Sequence, residues 1–358
     1  MTEPLLEVCD LRTHLHTADG IVRAVDGLDF TVGRGETVCL VGESGGGKSL
    51  TCDTITGLIG PAAEVSGSVR FDGRELLSMG ERDRRSIRGN RIAYMFQNAQ
   101  NALDPVYTVG DQIVEAITFH RDLDSDEART LAIELLQTVG LAQAAERVDH
   151  YPHELSDGMC QRVAIAIALG GDPDLLIADE PTSALDLMTQ ARIIEVLDTL
   201  QRERSLSMLL VTHDLRVAAA LADRIVVLYG GTGVEQGPVE SVFAQPGHPY
   251  TQELFRNFIG EGDESPVHAT VPIRGCRFFN ECPVAKEVCL EERPPFELVG
   301  DDPTHESACI YHGEDHDRGV VMGRAPDIGE REVRFDTHVS TRPTDPTQTK
   351  SRSGESHE

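Results

Sequence analysis

The chain has 358 residues, room for one large domain and a small appendage. Its 60 Asp and Glu against 32 Lys and Arg give a net charge of −28, which disfavours a nucleic-acid partner. No stretch approaches the roughly 18 apolar residues that a membrane-spanning helix needs, and the N-terminus MTEPLLEVCD lacks the basic region and apolar run of a secretory signal. Any attachment to a membrane is therefore expected to come through a partner. An acidic surface with so few lysines is also the composition expected of a host with a salt-rich cytoplasm.

The first informative elements run from residue 38 to residue 58. Val38-Cys39-Leu40-Val41 suits a central strand and Leu50 to Leu58 suits a helix. Between them Gly42-Glu43-Ser44-Gly45-Gly46-Gly47-Lys48-Ser49 has the GxxxxGK[ST] spacing of a phosphate cradle. Glycines let the backbone fold closely enough for successive N–H groups and the helix N-terminus to face an anion. Lys48 is then placed for the β and γ phosphates of ATP, and the Ser49 hydroxyl for Mg²⁺. A Gly-rich turn between strand and helix would share the pattern, but the chain holds only three lysines, Lys48, Lys286 and Lys350, among many arginines. A lysine kept at this position fits a site that needs a slender point charge rather than a flat guanidinium.

Further along, Arg91 to Gln97 reads as a strand ending in a polar residue. From Arg88 to about Gln161 the pattern is mostly helical, with Leu131, Leu135, Leu136 and Val139 at helical spacing behind Asp124 or Ser125 as N-cap. That stripe reads as core. The run LSDGMCQR, containing Ser156, Asp157 and Gly158, reads as a helix opening able to face a phosphate. Leu175-Leu176-Ile177-Ala178 is a buried strand delivering Asp179 and Glu180 to its carboxyl end, where open α/β sheets bind ligands. A later strand, Ser207 to Val211, ends in Thr212-His213-Asp214. Singly, an amide, an acidic strand end or a lone histidine is usually structural; in this order they support one another.

Together these motifs resemble the ATP-binding subunits of ABC importers, specifically the dipeptide/oligopeptide group. The group-level likeness lies in FQNAQNALDPVYTVGDQI (96–113), YPHELSDGMCQRVAIAIAL (151–169), VEQGPVESVFAQPGHPYTQEL (234–254) and a cysteine-bearing end, and covers about residues 5–312. The resemblance implies an α/β fold: a P-loop NTPase core with an antiparallel β portion and a helical subdomain, here residues 1–259, the helical coupling insert falling at about 88–161. It implies that Asp179 holds Mg²⁺ through water, that Glu180 polarises the attacking water, that Gln97 touches both, and that His213 contacts the γ-phosphate. It further implies a second ABC ATPase subunit, two transmembrane permeases and an extracytoplasmic solute-binding protein, with this chain on the cytoplasmic membrane face. In such pairs the signature of one subunit closes on the ATP held by the other. A soluble ABC ATPase of DNA repair or of ribosomes is the rival reading; the long heptads of the one and the second cassette of the other do not occur in this sequence.

Two departures from the group pattern stand out. Asp157 occupies the position after the signature serine where the group usually has glycine, and Cys160 replaces a usual arginine. No aromatic residue lies between Leu11 and Asp26 to stack on adenine, leaving His14, His16, Leu15 and Val22 as candidates.

Gly260 to Pro266 reads as a linker to a C-terminal region, 260–313, that holds Cys276, Cys282, Cys289 and Cys309. Disulfides are disfavoured in a cytoplasmic-facing ATPase, the absence of CxxC pairs is less typical of zinc, and the spacing matches neither common ferredoxin run. Resemblance to importers with a cysteine-rich end favours a [4Fe-4S] cluster over zinc or unligated thiols. Cys9, Cys39, Cys52 and Cys160 are expected to serve as small apolar residues, and the polar stretch 314–358 to be disordered.

Overall fold

A computed structural model describes residues 3–18, 20–260 and 271–322. The chain forms two sheets. Strands β1 (Leu6–Thr17), β2 (Gly20–Val32), β4 (Ala63–Phe71) and β5 (Arg74–Glu75) make a four-stranded antiparallel sheet in the order β2-β1-β4-β5. The larger sheet combines β3 (Thr37–Val41), β6 (Ile92–Met95), β7 (Leu175–Asp179), β8 (Ser207–Thr212), β9 (Arg224–Tyr229), β10 (Thr232–Pro238), β11 (Glu297–Leu298) and β12 (Glu306–Ser307). Its order is β11-β12-β10-β9-β3-β8-β7-β6.

The parallel pairs are β3 with β8 and β9, β7 with β8, and β6 with β7. Every residue of β3, β7 and β8 is buried, because both faces of a parallel strand are covered and its sequence can be continuously apolar. Parallel pairing has a functional consequence: the carboxyl ends of β3, β6, β7 and β8 share one edge of the sheet. Gly42, Gln97, Glu180 and His213 all follow those ends.

Between β6 and β7 the chain is helical, as expected. Thr108 and Asp111 form a reciprocal capping box on the helix Val109–His120, and Asp124 and Glu127 form another on Ser125–Thr138. Leu135, Leu136 and Val139 are buried and Leu131 packs against them, so the periodic stripe is core.

The cysteine-bearing segment does not stand apart as the appendage that the sequence suggested. β12 pairs with β10 through Glu235 and Ser307, and β11 pairs with β12, so this segment extends the main sheet. A buried ion pair between Arg277 and Asp26 holds it to the antiparallel sheet. Glu235, fully buried, accepts from the backbone N–H groups of Gly247 (2.7 Å) and His248 (2.8 Å) and pairs with His305 Nε2 at 2.8 Å. Satisfying a buried carboxylate from three sides fastens the segment far more specifically than apolar contact would.

Two further local expectations change. A helical turn at Gly319–Met322 buries Val321, whose carbonyl accepts from Gln252 Nε2 at 3.1 Å, so order persists beyond Glu314. Cys9 is exposed, unlike buried Cys39, Cys52 and Cys160, because register shifts after Val8 and Cys9 and a positive φ of 44° at Asp10 turn the strand outward. Most of the expected linker, 261–266, and the tail from 323 onward lie outside the described residues.

Candidate active site

The cradle follows β3 directly. Gly42 has φ 151°, and a Cβ there would lie 2.2 Å from the Leu228 carbonyl oxygen; Gly47 has φ 96°, and a Cβ would lie 2.2 Å from that of Ala24. No other residue type fits either position. Gly47 also caps the helix Lys48–Thr56 with no side chain over its end, leaving the helix N-terminus open to an anion. Lys48 is only 5% exposed and donates to the carbonyl oxygens of Gly42 and Glu43, both at 2.8 Å. Burial lowers its pKa, while the nearby charges of Glu180 and Asp179 push the other way.

Asp179 closes β7, 3% exposed, with a side-chain bond from Ser49 and Tyr94 Oη 3.5 Å from its Oδ2. Its Oδ1 is buried without a hydrogen-bond partner. Burial raises the Asp179 pKa, and the charges of Glu180 and Asp53 raise it further. An orphaned carboxylate oxygen beside a serine hydroxyl is a donor set that suits a hard divalent cation such as Mg²⁺.

Glu180 adopts a left-handed backbone conformation, φ 48°, which turns its side chain across the strand ends. One carboxylate oxygen accepts from Gln97 Nε2 at 2.8 Å and the other lies 2.9 Å from His213 Nδ1. Three residues from the ends of β6, β7 and β8 thus meet in one hydrogen-bonded row beside Lys48.

The signature residues sit elsewhere. Ser156 is the N-cap of the helix Asp157–Leu169 and Asp157 its first residue, both exposed. The depression beside them is lined by Ser156, Gly158, Met159, Arg147, Arg162 and Thr189, with no residue of the chain's own cradle among them. Gly158 is buried against Thr189, whose Cγ2 would lie 2.2 Å from an added Cβ. Thr189 is itself held by Asp186, which accepts from the Met188 and Thr189 N–H groups and caps the helix Leu187–Arg204.

Cys276, Cys282, Cys289 and Cys309 all line one small cavity of about 20 Å³ together with His248. Burial pushes the Cys276 thiol up to about 11 and the Cys309 thiol up to about 12. No group of three or more His, Cys, Asp or Glu side chains is close enough to hold a single metal ion among the described residues.

Sequence reasoning missed Tyr94 and Asp53. The Tyr94 hydroxyl donates to Asp53 Oδ1 at 3.1 Å, tying the cradle helix to β6 beside Asp179. The available signal was the alternation within β6, which points Tyr94 toward the cradle helix. Of the adenine candidates, His14 and His16 lie 3.2 Å from carboxylates, Asp26 and Glu64, while Leu15 and Val22 face each other across β1 and β2.

Comparison with known proteins identifies the family. The family described as ABC transporter matches residues 25–183, and that described as oligopeptide/dipeptide transporter, C-terminal region, matches residues 234–289. The chain is 43% identical over 301 residues to the oligopeptide transport ATP-binding protein AppD of Bacillus subtilis, covering 81% of this chain and 92% of that protein. The chain belongs to the peptide-transporter family of ABC ATP-binding subunits. Within the family it is also 40% identical over 327 residues to the dipeptide transport ATP-binding protein DppD of Escherichia coli, covering 88% of this chain and 99% of the relative.

Among solved structures, a dimeric post-hydrolysis state of the ATP-binding cassette MJ0796 bound to ADP and Pi matches with a TM-score of 0.60 at 29% identity, over 65% of this chain and 98% of that one. CbiO1 of Clostridium perfringens, part of an ABC transporter complex, matches at 0.59 and 28%, over 68% of this chain and 92% of that one. These relatives favour a transport ATPase over the DNA-repair or ribosomal reading. No helix is long and apolar enough to cross a membrane among the described residues.

Proposed function

We propose that this chain hydrolyses ATP to drive import of peptides or similar small solutes through an ABC transporter. In that transporter it pairs with a second ATPase subunit and binds two permeases at the cytoplasmic membrane face, and an extracytoplasmic solute-binding protein delivers the cargo. The observation that carries this reading is the Gln97, Glu180, His213 row set beside Lys48, in a chain whose family relatives are named for peptide transport.

The chemistry follows from positions. Lys48 leaves the Gly42 and Glu43 carbonyls to meet the β and γ phosphates, and the helix N-terminus behind Gly47 adds its partial positive charge. Ser49, Asp179 and Gln97 would hold Mg²⁺, which would supply charge neutralisation on the transferred phosphoryl group. Glu180 orients and polarises the attacking water, and His213 keeps Glu180 in line while reaching the γ-phosphate. Ser156, Asp157 and Gly158 serve the partner's nucleotide instead of this chain's own.

The four cysteines are assigned to a [4Fe-4S] cluster. They converge on one cavity, a cubane spreads its thiolate ligands more widely than a single ion does, and burial disfavours the uncompensated thiolates of Cys276 and Cys309. Anaerobically purified protein should be brown and contain iron and acid-labile sulfide; a colourless, iron-free sample overturns the cluster. The transport function is tested in vesicles holding the whole assembly: labelled peptide should accumulate only with Mg-ATP. Uptake that is indifferent to ATP contradicts it.

A further inference from the structure

The His248-Pro249-Tyr250 run has no part in the mechanism above, yet the structure places it between the cysteine cavity and the phosphate cradle. The Tyr250 ring is buried, and its hydroxyl accepts from the Glu43 N–H at 3.0 Å. That N–H belongs to the same peptide unit as the Gly42 carbonyl, one of the two carbonyls that receive Lys48 Nζ. Tyr250 therefore fixes the orientation of the peptide plane against which Lys48 rests, at the point where Gly42 leaves no clearance against Leu228.

The other end of the run faces the thiols. His248 is the N-cap of the helix Pro249–Phe258, and its Nδ1 accepts from the Tyr250 N–H at 3.1 Å. With Nδ1 accepting, Nε2 carries the proton, and it points at Cys276 Sγ 4.0 Å away. Phe278, two residues after Cys276, packs on His248, Tyr250 and Tyr229 with ring centroids 6.0, 5.5 and 5.1 Å apart. Glu281 bonds to Tyr229, and its charge, after burial, helps raise the pKa of Glu43. His248, Tyr250, Phe278 and Tyr229 are buried, so displacement among them has little free volume in which to dissipate.

We propose that Tyr250 is a positioning residue for the phosphate cradle, and that His248 and Phe278 join it to the cysteine cavity so that a change at Cys276 alters the affinity for ATP. The proposal rests on the ATPase reading and gives the cysteine-bearing segment a role in it.

Tyr250→Phe keeps the ring and removes only the acceptor, leaving the Glu43 N–H without its partner. The Kd of the full-length chain for Mg-ATP by equilibrium dialysis, and the KM of the assembled transporter, should both rise about fivefold to tenfold, the worth of one buried hydrogen bond. The kcat should stay within about twofold, with iron content unchanged and the melting temperature lowered slightly by the lost hydrogen bond. Cys276→Ser, which also removes one proposed cluster ligand, should shift the Kd and lower the iron content, but should add no further change in Kd in the Tyr250→Phe background, since both act through one path. An unaltered Kd in Tyr250→Phe, an equal loss of kcat, or multiplying effects in the double variant overturns the proposal. Dialysis reads the cradle without permeases, and Cys276→Ser reads through the thiol itself. An inactive transporter or an iron-free protein would therefore defeat those separate readings while the same comparison still decides this one.

Discussion

Replacing Glu180 by Gln should cut phosphate release at this chain's own cradle by about a hundredfold or more, the usual worth of a positioned general base. The substitution is nearly isosteric. An amide can still accept from Gln97 through its oxygen, but it offers His213 Nδ1 a donor where a carboxylate offered an acceptor, and it withdraws the negative charge that polarises water. Binding should survive, because Lys48, Ser49 and Asp179 are untouched. The expected result is a transporter that closes on ATP and does not reopen. Measuring phosphate release from assemblies carrying the substitution in this chain only separates its site from the partner's. Full hydrolysis at this chain's site would remove Glu180 from the mechanism.

Asp157 is the second position with a large expected effect. It opens the signature helix, where a carboxylate is favourable to the helix dipole and the fold alone would tolerate it. Closure against a partner's nucleotide changes its surroundings. At about 5 Å and an effective dielectric near 20, a carboxylate and one phosphate charge repel by about 3 kcal/mol, or about a hundredfold in affinity. Asp157→Gly and Asp157→Asn should therefore both raise turnover at the site formed by the partner's cradle, the asparagine variant showing that charge is responsible. Melting temperature should fall slightly in both as the helix loses its N-terminal charge. Steady-state turnover of the assembled transporter reads the outcome, and unchanged rates in both variants would place the carboxylate away from the nucleotide.

Much of the cradle and of the strand-end arrangement was legible because it is set by local pattern. The GxxxxGK[ST] spacing dictates a strand, turn and helix, and Gly42 and Gly47 prove to be positions where a side chain cannot fit. Continuous apolar runs marked β3, β7 and β8 as doubly covered parallel strands, and parallel pairing then brings their carboxyl ends together. Asp124 was readable as a cap for the same reason: its bonds reach only two and three residues along the chain.

Contacts of long sequence separation were not legible. Tyr94 to Asp53 spans 41 residues, Glu43 to Tyr250 spans 207, and Arg277 to Asp26 spans 251. No periodicity encodes such pairs, since each depends on how separate elements dock. The cysteine-bearing segment shows the consequence: its composition suggested an appendage, whereas two-residue strands too short to register as a pattern join it to the main sheet.

The Ser156 and Gly158 end of the signature helix lies apart from this chain's own cradle, and the proposed function has ATP held between two subunits. Equilibrium binding of labelled ATP to the assembled transporter carrying Glu180→Gln in this chain tests that arrangement most directly. The account predicts ATP retained at this chain's cradle through gel filtration with Mg²⁺, and released when the partner's signature serine is removed. ATP retained just as well after the partner's signature serine is removed would contradict it.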